Sequence, residues 1–555
     1  MHFGYVLLFI SLRCFAQPLT ETQKLASLSK VWGFLKYHHP AVARGRLDWD
    51  GQLVTLLSSV QRAQNRDELS AIYTQLIDSL GTVKPCRKCA SPEAVSAHLR
   101  RNFDLSLLND LTVFSASLRD RLRFVAANRN QGENHYVHVV RKVGNTNYDN
   151  EKPYAEMRNP DEAHRLLALF RYWNIVQYFF PYKYAIDKNW NDVLTDLIPV
   201  FRQADSEQAY QMALYRMVAQ IQDSHGFMNN SNKTICLRCD RGRYWLPFEI
   251  KIIDDKAVIT RFYNDSLAVL NKLKVGMVIS HIDGETIRVH IERERIYVAA
   301  SNEWTFLRDV VTMIGVGTTE QTTLTIDAGD RDSVLTVGRY AYGAFGKQAY
   351  KSVNSRYLIS RWLPDSIGYV NMGLLTIQQV DSVMKPLLSA RFLIFDIRNY
   401  PRGTYWLVSR YLTKQPVVFV EFTGPDLSFP GIYQSVSATK LPWPNKKSYR
   451  GNVIILVNEE TQSQAEFTTM ALQKSTNATV VGSQTAGADG NINWIPLPGG
   501  YRTAFSGIGV YYPNGRETQR IGILPDIFIR PTIQGIRDGR DEVLERAVDV
   551  ARQKK

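Results

Sequence analysis

Apolar positions in this chain change their period from one region to the next, and each change marks a different kind of element. In the C-terminal third, the unbroken apolar runs Val453–Val457 and Ala478–Val481 flank a polar turn and a segment with Phe467, Met470 and Ala471 at helical spacing. Short unbroken runs of β-branched residues predict strands buried on both faces. Strand, turn, helix and strand make one α/β unit, with Ser463 where the turn becomes the helix. Upstream, Ser366–Asn371 and Phe392–Asp396 read as further strands, Gln378–Leu388 as a helix, and a second helix is predicted from Tyr405. Strands alternating with helices argue for a parallel-sheet domain. Between Trp245 and Thr336 the pattern shifts to short alternating strands, among them Phe248–Ile253 and Ala257–Phe262.

The front half carries a repeat. Trp32, Tyr37, Pro40 and Trp49 recur at one constant offset as Trp173, Tyr178, Pro181 and Trp190, within Leu28–Gly81 and Leu169–Gly226. Amphipathic helical segments follow in both copies, which predicts a duplicated helical unit with the aromatic residues in its core. The copies close on Asp78-Ser79-Leu80-Gly81 and Asp223-Ser224-His225-Gly226. Because Leu80 fills the matching place, the scaffold does not require histidine there. His225 is therefore the best functional candidate among the ten histidines.

Length and composition bound the reading. At 555 residues, 45% hydrophobic and 22% charged, the chain is an ordinary globular protein too long for one core. Its net charge of +14 is scattered, without the basic stripe or reader motif that nucleic acid binding would require. Met1–Ala16 reads as a secretory signal, and no later stretch has the ~18 apolar residues of a spanning helix, so an exported protein, periplasmic or extracellular, is expected. Each repeat is followed by a Cys-x-x-Cys: Cys86 and Cys89 after the first, Cys236 and Cys239 after the second. The four thiols could hold a structural zinc or form two disulfides, and either is a structural staple. The expected domains are 17–160 and 161–240 (the helical repeats), 241–345 and 346–555.

Ser463 itself has two readings. Serine often caps a helix start. The same position places a hydroxyl beside free backbone N–H groups and the positive end of the helix, which suits a nucleophile next to a forming oxyanion.

Two resemblances weigh on that choice. Leu273-Lys274-Val275-Gly276-Met277-Val278-Ile279 followed by Ile282-Asp283-Gly284 resembles the second half of a PDZ domain, with Met277 in place of the usual Asp. Such a module implies a peptide added as an extra strand. Thr461-Gln462-Ser463-Gln464-Ala465-Glu466, together with the Asp396–Gly403 loop, resembles the T-x-S-x-x-E and D-x-R-x-N-x-G-G motifs of tail-specific and tricorn-like serine peptidases. That resemblance implies a multidomain α/β chain with a crotonase-like catalytic domain behind the PDZ-like one.

The resemblance also assigns residues. Ala488 stands where one branch has its lysine base, so the Ser–Lys dyad is excluded. The tricorn-like branch uses a Ser-His pair, matched by Ser224-His225, and a late glutamate, for which Glu517 is the choice and Gln519 the rival occupant. Ser463 would then be the nucleophile, His225 its base, and Ser224 and Glu517 the groups that orient or polarise the imidazole. Backbone N–H groups of Gln464 and of Arg402 or Gly403 would hold the oxyanion. No cofactor is implied for the chemistry, and the expected partner is a peptide or unfolded protein. A non-catalytic peptide-binding protein on the same scaffold is the alternative.

Overall fold

The computed structural model describes residues 18–141, 143–230, 242–327, 329, 331–345 and 358–553. The expected signal segment lies outside the described residues. The two cysteine pairs part company here. Cys86 and Cys89 are joined to each other by a disulfide, so their sulfurs are not free thiolates and the four-cysteine zinc site is not formed with them. Cys236 and Cys239, expected to be its other half or a second disulfide, both lie outside the described residues.

The repeat is visible in hydrogen bonds. In the first copy the Trp32 indole N–H donates to the Trp49 carbonyl (2.8 Å) and the Trp49 indole N–H to the Trp32 carbonyl (3.1 Å). Trp173 and Trp190 do the same in the second copy, at 2.7 and 3.0 Å. Each pair staples a long helix, Glu21–His38 or Glu162–Phe179, to the start of a shorter one, Trp49–Arg62 or Trp190–Gln203. Buried indole N–H groups need acceptors, and the reciprocal geometry supplies them within the apolar core.

The two copies share that core. Lys36, Asp50, Glu151 and Arg171 form a buried ion cluster across their boundary, with Lys36–Glu151 at 2.7 Å, Arg171–Asp50 at 2.7 Å and Arg171–Glu151 at 2.9 Å. Charges this far from water persist only when paired. Arg171 also donates to the Pro496 carbonyl (2.9 Å), reaching a hairpin contributed by the far end of the chain.

That hairpin, Ile492–Leu497 with Tyr501–Ser506, places Ile495, Leu497, Tyr501 and Phe505 in the helical core. Its second strand pairs antiparallel with Met228–Asn230, in the register Thr503↔Met228 and Tyr501↔Asn230. The pairing brings the end of the second repeat, and with it His225, alongside Ser506.

Residues 248–338 form an antiparallel sheet in the order Ser333–Gly338, Gln321–Asp327, Val278–Ile282, Lys256–Phe262, Phe248–Ile253, around its own apolar core. Phe248–Ile253 is the edge strand, and the helix Glu303–Val310 packs beside it.

The remaining sheet runs Ser360–Leu363, Ile367–Asn371, Phe392–Asp396, Asn452–Val457, Thr479–Gly482, Ile527–Phe528, parallel throughout except for the first pair. The unbroken apolar runs are buried on both faces, as their pattern requires. One difference from expectation lies in the connection after Asn371: a single 3-10 turn, Ile377–Gln379, precedes the helix Val380–Leu387. Thr376 and Gln379 bond across that turn and tighten its start.

Candidate active site

Ser463 follows the strand Asn452–Val457 and precedes the helix Gln464–Thr476. Its backbone sits at φ +57°, ψ −121°, a conformation that costs a residue with a side chain of order 1–3 kcal/mol. Two hydrogen bonds hold it there: its N–H donates to the Ala488 carbonyl at 2.9 Å and to Glu466 Oε2 at 3.1 Å.

Glu466 fastens more than the serine. Fully buried, it also accepts from the Thr485 hydroxyl (2.5 Å), the Gly487 N–H (2.8 Å) and the Ala488 N–H (3.1 Å). Burial pushes its carboxyl above the ordinary value, against the pull of these donors. From its place in the sequence it reads as a first-turn acid only. Asp489, which reads as a turn residue, is also fully enclosed; burial, and then the nearby Glu466, push its carboxyl well up.

His225 comes from the other side, in the short turn between the helix Glu207–Ala219 and the strand Met228–Asn230. It is 6% exposed and lines, with Ser463, one open cleft of about 1290 Å³. No hydrogen bond joins the two side chains among the described residues; such bonds often tighten only once substrate is bound. The cleft wall is tied together around them. Gln462 Nε2 donates to the Ser224 carbonyl (3.2 Å), Arg308 Nη1 to the Glu459 carbonyl (2.8 Å), and Asn302 Nδ2 to the Thr485 carbonyl (2.9 Å).

What stands behind the imidazole differs from expectation. His225 Nδ1 lies 2.9 Å from Ser506 Oγ, and Ser506 Oγ lies 3.0 Å from Asp223 Oδ1. Asp223 further accepts the backbone N–H of Ser506 (2.6 Å) and of His225 (3.1 Å). Neither Ser506 nor Asp223 is a candidate from the sequence. Burial lowers the His225 pKa first; Asp223 opposes that shift and Arg308 adds to it.

Two expected partners of the imidazole are elsewhere. Ser224 turns its side chain the other way: its hydroxyl accepts the Ser301 N–H (2.9 Å), and its own N–H donates to Ser301 Oγ (2.8 Å). Ser224 and His225 sit in a tight turn closed by the Gly226 N–H on the Asp223 carbonyl (2.7 Å), and their side chains serve different partners. Glu517 pairs with Arg101, and neither a hydrogen bond nor an ion pair joins it to His225 among the described residues. Gln519, the rival for its place, is buried, and among the described residues no group bonds its side-chain amide.

The Ser224–Ser301 exchange staples the second repeat to the middle sheet. Ser301→Ala is expected to cost about 1 kcal/mol, the net value of an ordinary neutral hydrogen bond, read as a shift in the urea midpoint without a change in slope.

The loop Asp396–Gly403 is anchored by Arg398, which pairs with Asp396 and Asp541, both at 2.7 Å. Arg402 Nε reaches the Gly373 carbonyl at 3.1 Å, and Arg402, Tyr400 and Gly373 line the cleft. Gly403 lies next to them at φ +68°. The backbone N–H groups of Gln464, Arg402 and Gly403 have no acceptor among the described residues.

Comparison with known proteins agrees with this architecture. The sequence model of peptidase family S41 matches residues 366–529. A carboxyl-terminal-processing protease of Picosynechococcus sp. is 24% identical over 171 residues, which take in 29% of this chain and 39% of the relative's length. The fold is shared with mature CPAF (14% identity, 71% of this chain and 98% of that one, TM-score 0.56) and with mature CPAF complexed with lactacystin (14%, 71% and 98%, TM-score 0.55). The family match covers both the strand that leads into Ser463 and the Asp396–Gly403 loop, and over residues 366–529 the chain is similar to peptidase family S41.

Proposed function

We propose that this protein is an exported serine peptidase that cleaves peptide bonds through an acyl-enzyme on Ser463, with His225 as general base and then general acid. The observation that carries this reading is one cleft shared by two side chains from different parts of the chain. Ser463 is held in a strained backbone conformation at a helix N-terminus, and His225 is buried with one ring nitrogen already engaged. His225 Nε2 takes the Ser463 proton as Oγ attacks the carbonyl, and returns it to the leaving amine; water repeats the cycle on the ester. The unpaired N–H of Gln464, with that of Arg402 or Gly403, would receive the oxyanion.

A peptide substrate is supported by a second groove, of about 420 Å³, between the edge strand Phe248–Ile253 and the helix Glu303–Val310. Glu249, Lys251, Arg308, Asp309 and Glu460 line both this groove and the cleft of Ser463. A PDZ-like module adding a peptide along that edge would feed the chain toward the crotonase-like catalytic part. Among the described residues no helix is long and apolar enough to cross a membrane.

Fluorophosphonate labelling of the wild type, Ser463→Ala and His225→Ala tests the reading. A wild type that neither labels nor cleaves any member of a peptide library would sink it in favour of a binding protein. The pH profile adds a sign. Burial holds His225 below its ordinary 6.5. The base therefore stays neutral further into acid, and the acidic limb of the labelling rate should have its midpoint below that value. A midpoint above it would assign the base elsewhere.

A further inference from the structure

We propose that Asp223, acting through the Ser506 hydroxyl, is the acid that positions His225 and stabilises its protonated form. This rests on the Ser463–His225 reading and supplies the third member that Glu517 does not. The proton positions follow from donor counting. Asp223 Oδ1, as a carboxylate, only accepts, so the hydroxyl proton of Ser506 points to it across 3.0 Å. Ser506 has no second proton, so across the 2.9 Å contact with His225 its oxygen is the acceptor and Nδ1 carries the hydrogen. That leaves the Nε2 lone pair facing the cleft, the tautomer a base for Ser463 needs.

When Nε2 takes the serine proton, the ring becomes a cation with Nδ1–H still bonded to Ser506. The charge is balanced by Asp223 one hydroxyl away, and no proton moves to Ser506 or to Asp223. The charged groups acting on the ring are Asp223, which favours its cation, and Arg308, which opposes it and is itself paired with Asp309.

The repeat argues that Asp223 is more than scaffold. Its counterpart Asp78 closes the first copy in the same Asp-Ser-x-Gly, yet there it is an exposed partner of Arg121, and Leu80 stands where His225 does. In the second copy the aspartate is fully enclosed and receives three donors, two of them from Ser506. Ser506 occurs at the end of a strand from more than two hundred residues downstream, so the arrangement assembles only in the folded chain.

The test is the pH dependence of fluorophosphonate inactivation for the wild type, Ser506→Ala, Asp223→Asn and Glu517→Gln. Ser506→Ala should slow inactivation roughly tenfold or more and Asp223→Asn roughly a hundredfold or more, both with the acidic limb moved to lower pH, because the cation has lost its support. Glu517→Gln should stay within about threefold of wild type. If the first two variants also stay within threefold with an unmoved limb, while Ser463→Ala abolishes reaction, the relay is wrong and the peptidase reading stands. An unreactive wild type removes both. Nitrogen NMR of the histidines in the unmodified wild type gives an answer independent of variant folding: a buried imidazole protonated on Nδ1 is expected, and an Nε2–H tautomer at His225 overturns the proposal.

Discussion

Replacing Ser463 by alanine is expected to abolish fluorophosphonate labelling and to lower peptide hydrolysis on the order of 10⁴-fold or more, while leaving the fold intact. The loss should be this large because no other serine lines the cleft among the described residues. The fold should survive because the two bonds that hold position 463 use its backbone N–H, to Ala488 and Glu466, and alanine keeps them. Alanine bears the same strain at φ +57° as serine does. Thermal midpoints within a few degrees of each other, together with a rate difference of that size, would separate lost chemistry from lost structure. Nucleophile and base act as a unit, so Ser463→Ala with His225→Ala should be no slower than Ser463→Ala alone. Labelling that persisted in Ser463→Ala would place the nucleophile elsewhere.

The parts of this site that could be read from the sequence are those with a local signal. Ser463 stands at a strand-to-helix junction whose apolar runs are unmistakable, and the observed strand Asn452–Val457 and helix Gln464–Thr476 enclose it. His225 could be singled out because the repeat supplies an internal comparison, Leu80. Ser506 had no such signal. It gains meaning only from the pairing of Tyr501–Ser506 with Met228–Asn230, a contact between segments far apart in the chain. The turn Pro498-Gly499-Gly500 between alternating apolar positions would have predicted the hairpin, though not its partner. At Glu517 the resemblance calls for a late glutamate but carries no information on where it lies in space, and the structure pairs it with Arg101, beyond the end of the first repeat. Adjacency misled at Ser224, whose hydroxyl belongs to the contact with Ser301.

Glu466→Ala should be among the most damaging single changes in the catalytic part, costing roughly 3–5 kcal/mol and slowing labelling by about a hundredfold or more in whatever remains folded. Four donors converge on its two oxygens: the Thr485 hydroxyl and Gly487 N–H on Oε1, the Ala488 and Ser463 N–H groups on Oε2. Alanine leaves the Thr485, Gly487 and Ala488 donors without an acceptor inside the protein and opens a void beneath the helix. The N–H of Ser463 then keeps only the Ala488 carbonyl, whose own peptide has been loosened, and the strained φ of the nucleophile is free to relax. Glu466→Gln separates the two effects. The amide matches the carboxylate in size but offers one oxygen, so whichever way it turns, its NH₂ meets two donors. It should therefore destabilise less than alanine, for want of a cavity, and still slow labelling. Burial raises the Glu466 carboxyl, so the folded state binds its proton more tightly than the unfolded chain does. Stability contributed by that proton is present below the unfolded value and lost as pH rises through the folded one. Wild type should accordingly lose stability across that window relative to Glu466→Gln, which has no proton to release, and urea titrations at several pH values would measure the difference.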